Sequence, residues 1–149
     1  MTKFLLAVHV LAAIVAIGPV TVAASMFPPA ARRALAAPDD VRAAETLQLL
    51  HRICKVYAVA GVVVPVFGFA TASTMGVLGS AWLIVSIALT ALAALVLAAL
   101  VLPAQTALVE GAGTREKTVR LAMLTGVFNL LWAAVTILMI VRPGSTTGA

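Results

Sequence analysis

The sequence predicts an all-α membrane protein: a polytopic four-helix bundle of up-down-up-down topology, built as a single domain over residues 1–149. The chain is 63% hydrophobic with a mean hydropathy of +1.16, whereas soluble domains are about half apolar. Four apolar stretches are each long enough to cross a hydrocarbon core of about 30 Å. They lie at about residues 4–25, 53–75, 81–102 and 121–141.

The first span carries no formal charge from Phe4 to Ala24. This run is longer than the core of a signal peptide, which is about 7–15 residues. Arg32 and Arg33 follow it closely and favour retention of that end in the cytoplasm. We therefore expect a retained span rather than a cleaved signal.

Prolines predict where these helices stop or bend, because proline lacks the backbone donor that a continuing helix needs. Their positions predict a break at Gly18-Pro19, a stop at Pro28-Pro29, a kink at Pro65 and a stop at Pro103. The kink at Pro65 would also free a carbonyl near the middle of the membrane.

Two polar segments, residues 28–52 and 104–120, separate the spans. Pro38-Asp39-Asp40 is the expected start, with an Asp at the N-cap, of a short amphipathic helix on the membrane surface that leads into span 2. Thr114 is the expected N-cap of the helix that leads into span 4. Residues 142–149 form a short polar tail, expected to be disordered.

One face of span 2 is built from small residues and proline. Gly61, Pro65, Gly68 and Ala72 recur at steps of four, three and four residues, so they share one side of a helix. A face of this kind lets a second helix approach closely. The sequence therefore predicts helix packing at these four residues, and it leaves room for a homo-oligomer or a membrane partner subunit.

The distribution of basic residues predicts the orientation. Eight of the ten Lys and Arg residues lie in or beside the two polar segments, which leaves Lys3 and Arg142 on the other side. By the positive-inside rule, both polar segments are cytoplasmic and both termini are outside, in a bacterial inner (plasma) membrane. The positive-inside bias therefore explains the net charge of +5 better than nucleic-acid binding does.

Several classes of chemistry are disfavoured by the sequence. The single cysteine, Cys54, excludes an internal disulfide and a CxxC motif, and we expect it to be an inert core thiol. The five acidic residues all fall outside the spans, which argues against proton-coupled transport on a membrane carboxylate. No phosphate loop, catalytic triad or zinc motif is found. We expect a non-enzymatic protein with no obligatory cofactor.

His9 is the sharpest candidate for function, because ionisable side chains inside a membrane face the bundle or a cavity. It shares a helix face with Ala12, Ala13 and Ala16. It could serve as an axial ligand of haem b, as a metal ligand or in a proton relay. The alternative is a neutral histidine that only bonds to a neighbouring helix.

A haem at His9 needs a second ligand. The only other histidine, His51, is expected to be solvated at the cytoplasmic surface, roughly 20 Å from His9 in depth. The candidates that remain are Met75, Met139 or His9 of a second copy. Methionine at such positions is more often a core residue than a ligand.

Asn129 lies near the middle of span 4 and must find a hydrogen-bond partner there. With antiparallel neighbours, His9 falls closer in depth to Thr136 than to Asn129. The sequence therefore predicts a polar thread of His9, Thr136 and Asn129 inside the bundle, with plain helix-to-helix bonding as the alternative.

Two short motifs carry a family resemblance. AVHVLAAI, residues 7–14, precedes Gly18-Pro19 in span 1, and PVFGFATA, residues 65–72, lies in span 2. These motifs resemble a bacterial family of small four-span integral membrane proteins of unknown function. More distantly, the chain is similar to CopD-like four-helix membrane proteins, which also carry an early histidine. The resemblance implies four helices in the inner membrane and, through the CopD-like proteins, metal or haem handling at His9.

Two functions therefore remain as hypotheses. The first is a non-enzymatic membrane component, either an accessory subunit or a small-solute facilitator with a wet cavity lined by His9, Asn129 and Thr136. The second is a haem- or metal-binding membrane redox protein that uses His9 as ligand.

Overall fold

The computed structural model describes residues 1–144, and these residues form helices joined by short turns, with no strand among them. The helices are α1 (Thr2–Ala36), α2 (Val41–Ala60), α3 (Val63–Met75), α4 (Ala81–Leu95), a π-helical turn (Val96–Val101), α5 (Leu102–Val109) and α6 (Arg115–Val141). The prediction of a disordered tail concerns residues 142–149, of which 145–149 lie outside the described part of the chain.

These helices combine into four antiparallel rods, each long and apolar enough to cross a membrane. The rods are α1, α2 with α3, α4 with the π-helical turn and α5, and α6. The predicted all-α four-helix bundle is therefore confirmed. Helix α1 packs along α2 and α3 and also contacts α6, while α6 packs along α4, and α5 contacts α2.

Both predicted N-caps are confirmed. The Asp40 carboxylate accepts hydrogen bonds from the backbone N–H groups of Arg42 and Ala43, at 3.0 and 3.4 Å. The Thr114 hydroxyl oxygen accepts from the backbone N–H of Lys117 at 3.2 Å. These bonds satisfy donors that the first turn of a helix leaves without an intrahelical partner.

The prediction that Pro28-Pro29 ends the first helix is wrong, and so is the break at Gly18-Pro19. Helix α1 continues without interruption through all three prolines to Ala36. Around the proline pair, Phe27 is fully buried and Ala31 nearly so. This packing outweighs the loss of two helical hydrogen bonds, since tertiary contacts routinely override local propensity.

Pro103 does not end span 3 either. The π-helical turn immediately precedes it, and the helix continues from that turn through Pro103 to Val109. Span 2 contains an interruption of the helix near Pro65. It lies at Gly61-Val62, because Pro65 provides no donor for the Gly61 carbonyl, which accepts from the Val64 N–H at 3.1 Å instead.

The core is concentrated at the end of the bundle that carries the 37–40 and 110–114 connections. Its largest fully buried side chains include Phe27, Leu121 and Phe128. At the opposite end, a small cluster is formed by Ala72, Trp82 and Leu83. None of the first 15 residues is buried, so α1 is loosely held at its start and tightly held at its end.

The face of span 2 built from small residues divides in the structure. A Cβ atom placed on Gly68 would lie 2.7 Å from His9 Cε1, and one on Gly61 would lie 3.5 Å from Ile17 Cδ1. Both glycines therefore lie against α1. Pro65 is exposed, and Ala72 belongs to the small cluster with Trp82.

The close contact at Gly68 predicts a selective loss of stability. A Gly68→Ala substitution must displace the His9 ring, and we expect it to lower the free energy of unfolding by about 1–3 kcal/mol, the usual cost of overpacking. Thermal unfolding in mild detergent measures this change. The matched control is Gly18→Ala in α1, where a Cβ atom meets nothing within 4 Å. An equal loss at Gly68 in a His9→Ala background would contradict the proposed contact.

Candidate functional site

His9 is half-buried and hydrogen-bonded across the α1–α3 interface. Its Nδ1 atom lies 2.8 Å from the Val64 carbonyl oxygen, and because a carbonyl only accepts, Nδ1 carries the proton and donates. The other ring nitrogen, Nε2, makes no hydrogen bond within residues 1–144. This is the tautomer in which ligating histidines are commonly held by a backbone carbonyl.

The two methionines proposed as second ligands lie elsewhere. Met75 is the last residue of α3, seven residues beyond Gly68 and therefore about 10 Å further along the helix. Met139 packs against the cluster of Ala72, Trp82 and Leu83. Among residues 1–144, no three His, Cys, Asp or Glu side chains are grouped to hold a metal ion. One chain therefore offers His9 as a single ligand.

The predicted thread of His9, Thr136 and Asn129 is wrong. The Asn129 Nδ2 group donates to Ser25 Oγ at 3.0 Å, and Ser25 lies 16 residues, about 24 Å of helix, from His9. Thr136 is exposed and donates to the Trp132 carbonyl of its own helix at 2.8 Å. The prediction placed His9 near Thr136 in membrane depth because it assumed that the first helix ends at Pro28. Helix α1 extends to Ala36, so its second half, rather than its first, lies beside Asn129.

A groove between α1 and α6 contains the most incomplete set of polar contacts in the described chain. We call it the α1–α6 groove; its volume is about 270 Å³. Its lining residues are Ser25, Pro28, Pro29 and Arg32 on α1 and Ala122, Thr125, Gly126 and Asn129 on α6. Ser25 and Arg32 are exposed, so the groove opens on the outer surface of the bundle rather than into its centre.

Two polar atoms in the α1–α6 groove are buried without a partner. The Thr125 hydroxyl belongs to a residue only 3% exposed and makes no hydrogen bond, and the Asn129 Oδ1 atom is also unpaired. A buried polar atom without a partner costs about 1–3 kcal/mol in a folded protein, and the penalty is no smaller beside lipid. The groove is therefore suited to a ligand that completes these contacts.

The sequence could have indicated this groove only in part. Thr125 and Asn129 are four residues apart on one face of α6, which marks them as neighbours. Ser25 and Arg32 were missed, since the expected stop at Pro28-Pro29 placed Arg32 outside the helix. Once α1 continues, Ser25 and Arg32 are seven residues apart and share a face.

A second polar cluster surrounds His51, and the prediction of a solvated His51 is wrong. The residue is 7% exposed; its Nδ1 lies 3.0 Å from Gln105 Oε1 and its Nε2 lies 3.2 Å from Thr106 Oγ1. Gln105 is fully buried, and its Nε2 is 3.6 Å from the Sγ atom of Cys54, which is a free, buried thiol. The cluster joins α2 to α5 across the most tightly packed end of the bundle.

The hydrogen bonds of this cluster form a closed set. Thr106 donates its hydroxyl proton to the Leu102 carbonyl at 3.0 Å, so its oxygen accepts from His51 Nε2. A neutral His51 then accepts at Nδ1 if the Gln105 amide is turned by 180°, which also lets the Cys54 thiol donate to the amide oxygen. In the observed orientation, the Gln105 Oε1 atom accepts from Nδ1 at 3.0 Å. Either arrangement pairs every polar side chain, which is typical of a structural cluster.

A Gln105→Leu substitution tests the structural role of this cluster. It would leave a buried ring nitrogen of His51 unpaired, so we expect a loss of about 1–3 kcal/mol in the free energy of unfolding. The control is Gln48→Leu, an exposed glutamine on α2, for which the change should stay within about 0.5 kcal/mol. Thermal unfolding of both variants in the same detergent measures the difference. Equal melting temperatures would contradict the assignment.

Comparison of this chain with protein-family models, with curated proteins and with solved structures found no match. The assignment of function therefore depends on the chemistry of three places in the bundle: the His9 contact with α3, the α1–α6 groove and the closed cluster at His51.

Proposed function

We propose that this chain is a non-enzymatic accessory component of a bacterial inner membrane, and that it acts by binding at the α1–α6 groove. The observation that carries the proposal is the pair of buried polar atoms, Thr125 Oγ1 and Asn129 Oδ1, which have no partner within residues 1–144. Because an unpaired polar atom is costly in hydrocarbon, this groove gains free energy when a ligand or partner group fills it.

An accessory role agrees better with the geometry than solute conduction does. A facilitator would need its polar side chains to line one path, whereas His9 bonds to α3, Asn129 bonds to Ser25 and Thr136 bonds to its own helix. The groove opens sideways, where a neighbour in the bilayer reaches it. The closed cluster at His51 supports a structural frame rather than a reaction centre.

The proposed orientation has both termini outside and residues 37–40 and 110–114 in the cytoplasm. The excess of Lys and Arg at that end of the bundle supports it. Arg32 then lies toward the cytoplasmic end of the groove and Asn129 lies deeper, nine residues or about 13 Å from Arg120.

Site-specific photocrosslinking tests binding at the groove. A photoreactive residue at Met26, an exposed position next to Ser25, should give a discrete adduct in native membranes. Filling the groove by Gly126→Leu should abolish that adduct, because a Cβ atom at Gly126 meets nothing within 4 Å and a side chain can occupy the space. The control is a photoreactive residue at Val59 on α2, which is 75% exposed.

Either of two results would contradict the proposal. The first is an adduct at position 26 that Gly126→Leu leaves unchanged. The second is an identical adduct pattern at positions 26 and 59, since that is the pattern of random collision with the bilayer.

A second candidate function is haem or metal binding at His9. Its support is the Nδ1 hydrogen bond to the Val64 carbonyl at 2.8 Å, which leaves Nε2 ready to act as a ligand. The residues fit a haem b only as one half of an axial pair, so the second ligand would come from another copy of the chain. Bound there, haem would supply one-electron redox chemistry.

A reduced-minus-oxidised visible spectrum tests this candidate. After expression with haem supplied, the purified protein should give Soret and α bands that His9→Ala abolishes and His51→Ala retains, because only His9 presents a free ring nitrogen. A featureless wild-type spectrum, or equal bands in the His9→Ala variant, would overturn haem binding at His9.

A further inference from the structure

We infer that the α1–α6 groove binds the phosphate group of an acidic phospholipid, with Arg32 as the counterion and Thr125 and Asn129 as hydrogen-bond donors. This inference rests on the proposed function, since it names the occupant of the same groove. Four observations carry it: an unpaired cation, two polar side chains that can donate, an apolar rim and the position of the groove along the bundle.

Arg32 is the charged residue of the α1–α6 groove. No carboxylate forms an ion pair with it within residues 1–144, and it lies in the groove while its neighbour Arg33 does not. Helical side chains lean toward the N-terminus of their helix, so the Arg32 side chain leaves the backbone on the side of Pro28, which also lines the groove. A guanidinium in this position matches a phosphate group, which it can contact through two parallel N–H donors.

Thr125 supplies a donor from the opposite wall. Thr125 is among the residues that line the α1–α6 groove and is 3% exposed, and its buried hydroxyl makes no hydrogen bond in the described chain. Most threonines in this bundle donate to a carbonyl of their own helix, as Thr90 and Thr136 do. The Thr125 hydroxyl is therefore free to donate to an oxygen that enters the groove.

Asn129 can provide a second donor without losing its present contact. Turning its amide by 180° lets the Ser25 hydroxyl donate to Oδ1 in place of the existing bond of 3.0 Å. The Nδ2 group then takes the place of Oδ1, the buried amide atom that has no partner within residues 1–144. An anion in the groove favours this arrangement, because Nδ2 and the Thr125 hydroxyl are then two donors without an acceptor beside it.

The surroundings of the groove favour a lipid over a soluble phosphate. Apolar side chains that are 46–72% exposed flank it on both helices, namely Val22, Met26, Met123, Val127 and Leu130. They offer a surface for acyl chains. Arg32 lies seven residues from Ser25, about 10 Å toward the loop end, and this is the direction in which the headgroups of the nearer leaflet lie.

A polar helix of a partner protein is the alternative occupant, and the groove favours it less. A carboxylate on a transmembrane partner would have to be buried in hydrocarbon before it reached Arg32, which is costly. A lipid phosphate already resides at the interface and needs only to move sideways. The volume of about 270 Å³ accommodates a phosphate with part of its glycerol.

The experiment measures lipid binding to the purified, delipidated full chain by native mass spectrometry in mild detergent. The probes are phosphatidylglycerol, phosphatidylcholine and inorganic phosphate. We expect phosphatidylglycerol to bind more tightly than phosphatidylcholine and inorganic phosphate to bind weakly. Arg32→Gln should weaken phosphatidylglycerol binding about tenfold, the usual effect of losing one charge-assisted hydrogen bond.

Two matched pairs separate the groove from general surface charge and polarity. Arg33→Gln removes an equally exposed charge one residue away and should leave binding unchanged. Thr125→Val should weaken binding severalfold, whereas Thr136→Val, on the same helix, should not. Arg32→Lys keeps the charge and the side-chain length, so an intermediate affinity is expected and folding is preserved.

Three results would overturn the inference. The first is equal loss of phosphatidylglycerol in Arg32→Gln and Arg33→Gln, which would indicate a diffuse basic surface. The second is equal binding of the two lipids. The third is a Gly126→Leu-sensitive adduct at position 26 that consists of protein alone, which would leave the proposed function intact and make the occupant a partner subunit.

Discussion

In a hydrocarbon environment, every buried polar group must find its partner within the protein, and this constraint governs the bundle. Most hydroxyl groups of the spans find a partner in their own helix. Each donates to a carbonyl of the preceding turn, as in Thr71, Ser86, Thr90 and Thr136. His9 obeys it across helices through the Val64 carbonyl, and His51 obeys it through Gln105 and Thr106. The rule fails for the indole N–H groups of Trp82 and Trp132, and for Thr125 Oγ1 and Asn129 Oδ1. The last two line one groove, between α1 and α6, and for that reason this groove is the strongest candidate for binding.

The prolines follow the same constraint in three different ways. At Pro28-Pro29 the helix continues because the surrounding residues are tightly packed. In span 2 the helix is interrupted at Gly61, four residues before Pro65. The Gly61 carbonyl accepts from the Val64 N–H instead, in a shorter hydrogen-bonded turn. Before Pro103 the helix contains a π-helical turn. Because this turn is wider than an α-helical one, it rotates the residues that follow about the helix axis. Gln105, two residues later, then meets His51 on α2.

The two polar clusters have opposite characters because of how they are closed. The His51 cluster pairs every polar side chain and lies in the most tightly packed part of the core, so it fixes how α5 meets α2. The α1–α6 groove holds one internal bond, between Asn129 and Ser25, and leaves two atoms unpaired. A closed network stabilises one structure, while an open one gains from a ligand. His9 lies between these cases, with one ring nitrogen bonded and one free.

The sequence by itself determined the fold class, the approximate spans, an Asp cap within residues 38–40 and the cap at Thr114, because hydropathy, length and capping chemistry act locally. It also marked His9 and Asn129 as polar residues that need partners. Only the tertiary structure decided which partners they have. Whether α1 ends at Pro28 or continues to Ala36 depends on packing around Phe27, and that continuation brings Ser25 and Arg32 beside α6. The pairing of His51 with Gln105 depends on how α5 packs against α2. Such contacts join residues more than 50 positions apart, and no local pattern in the sequence encodes them.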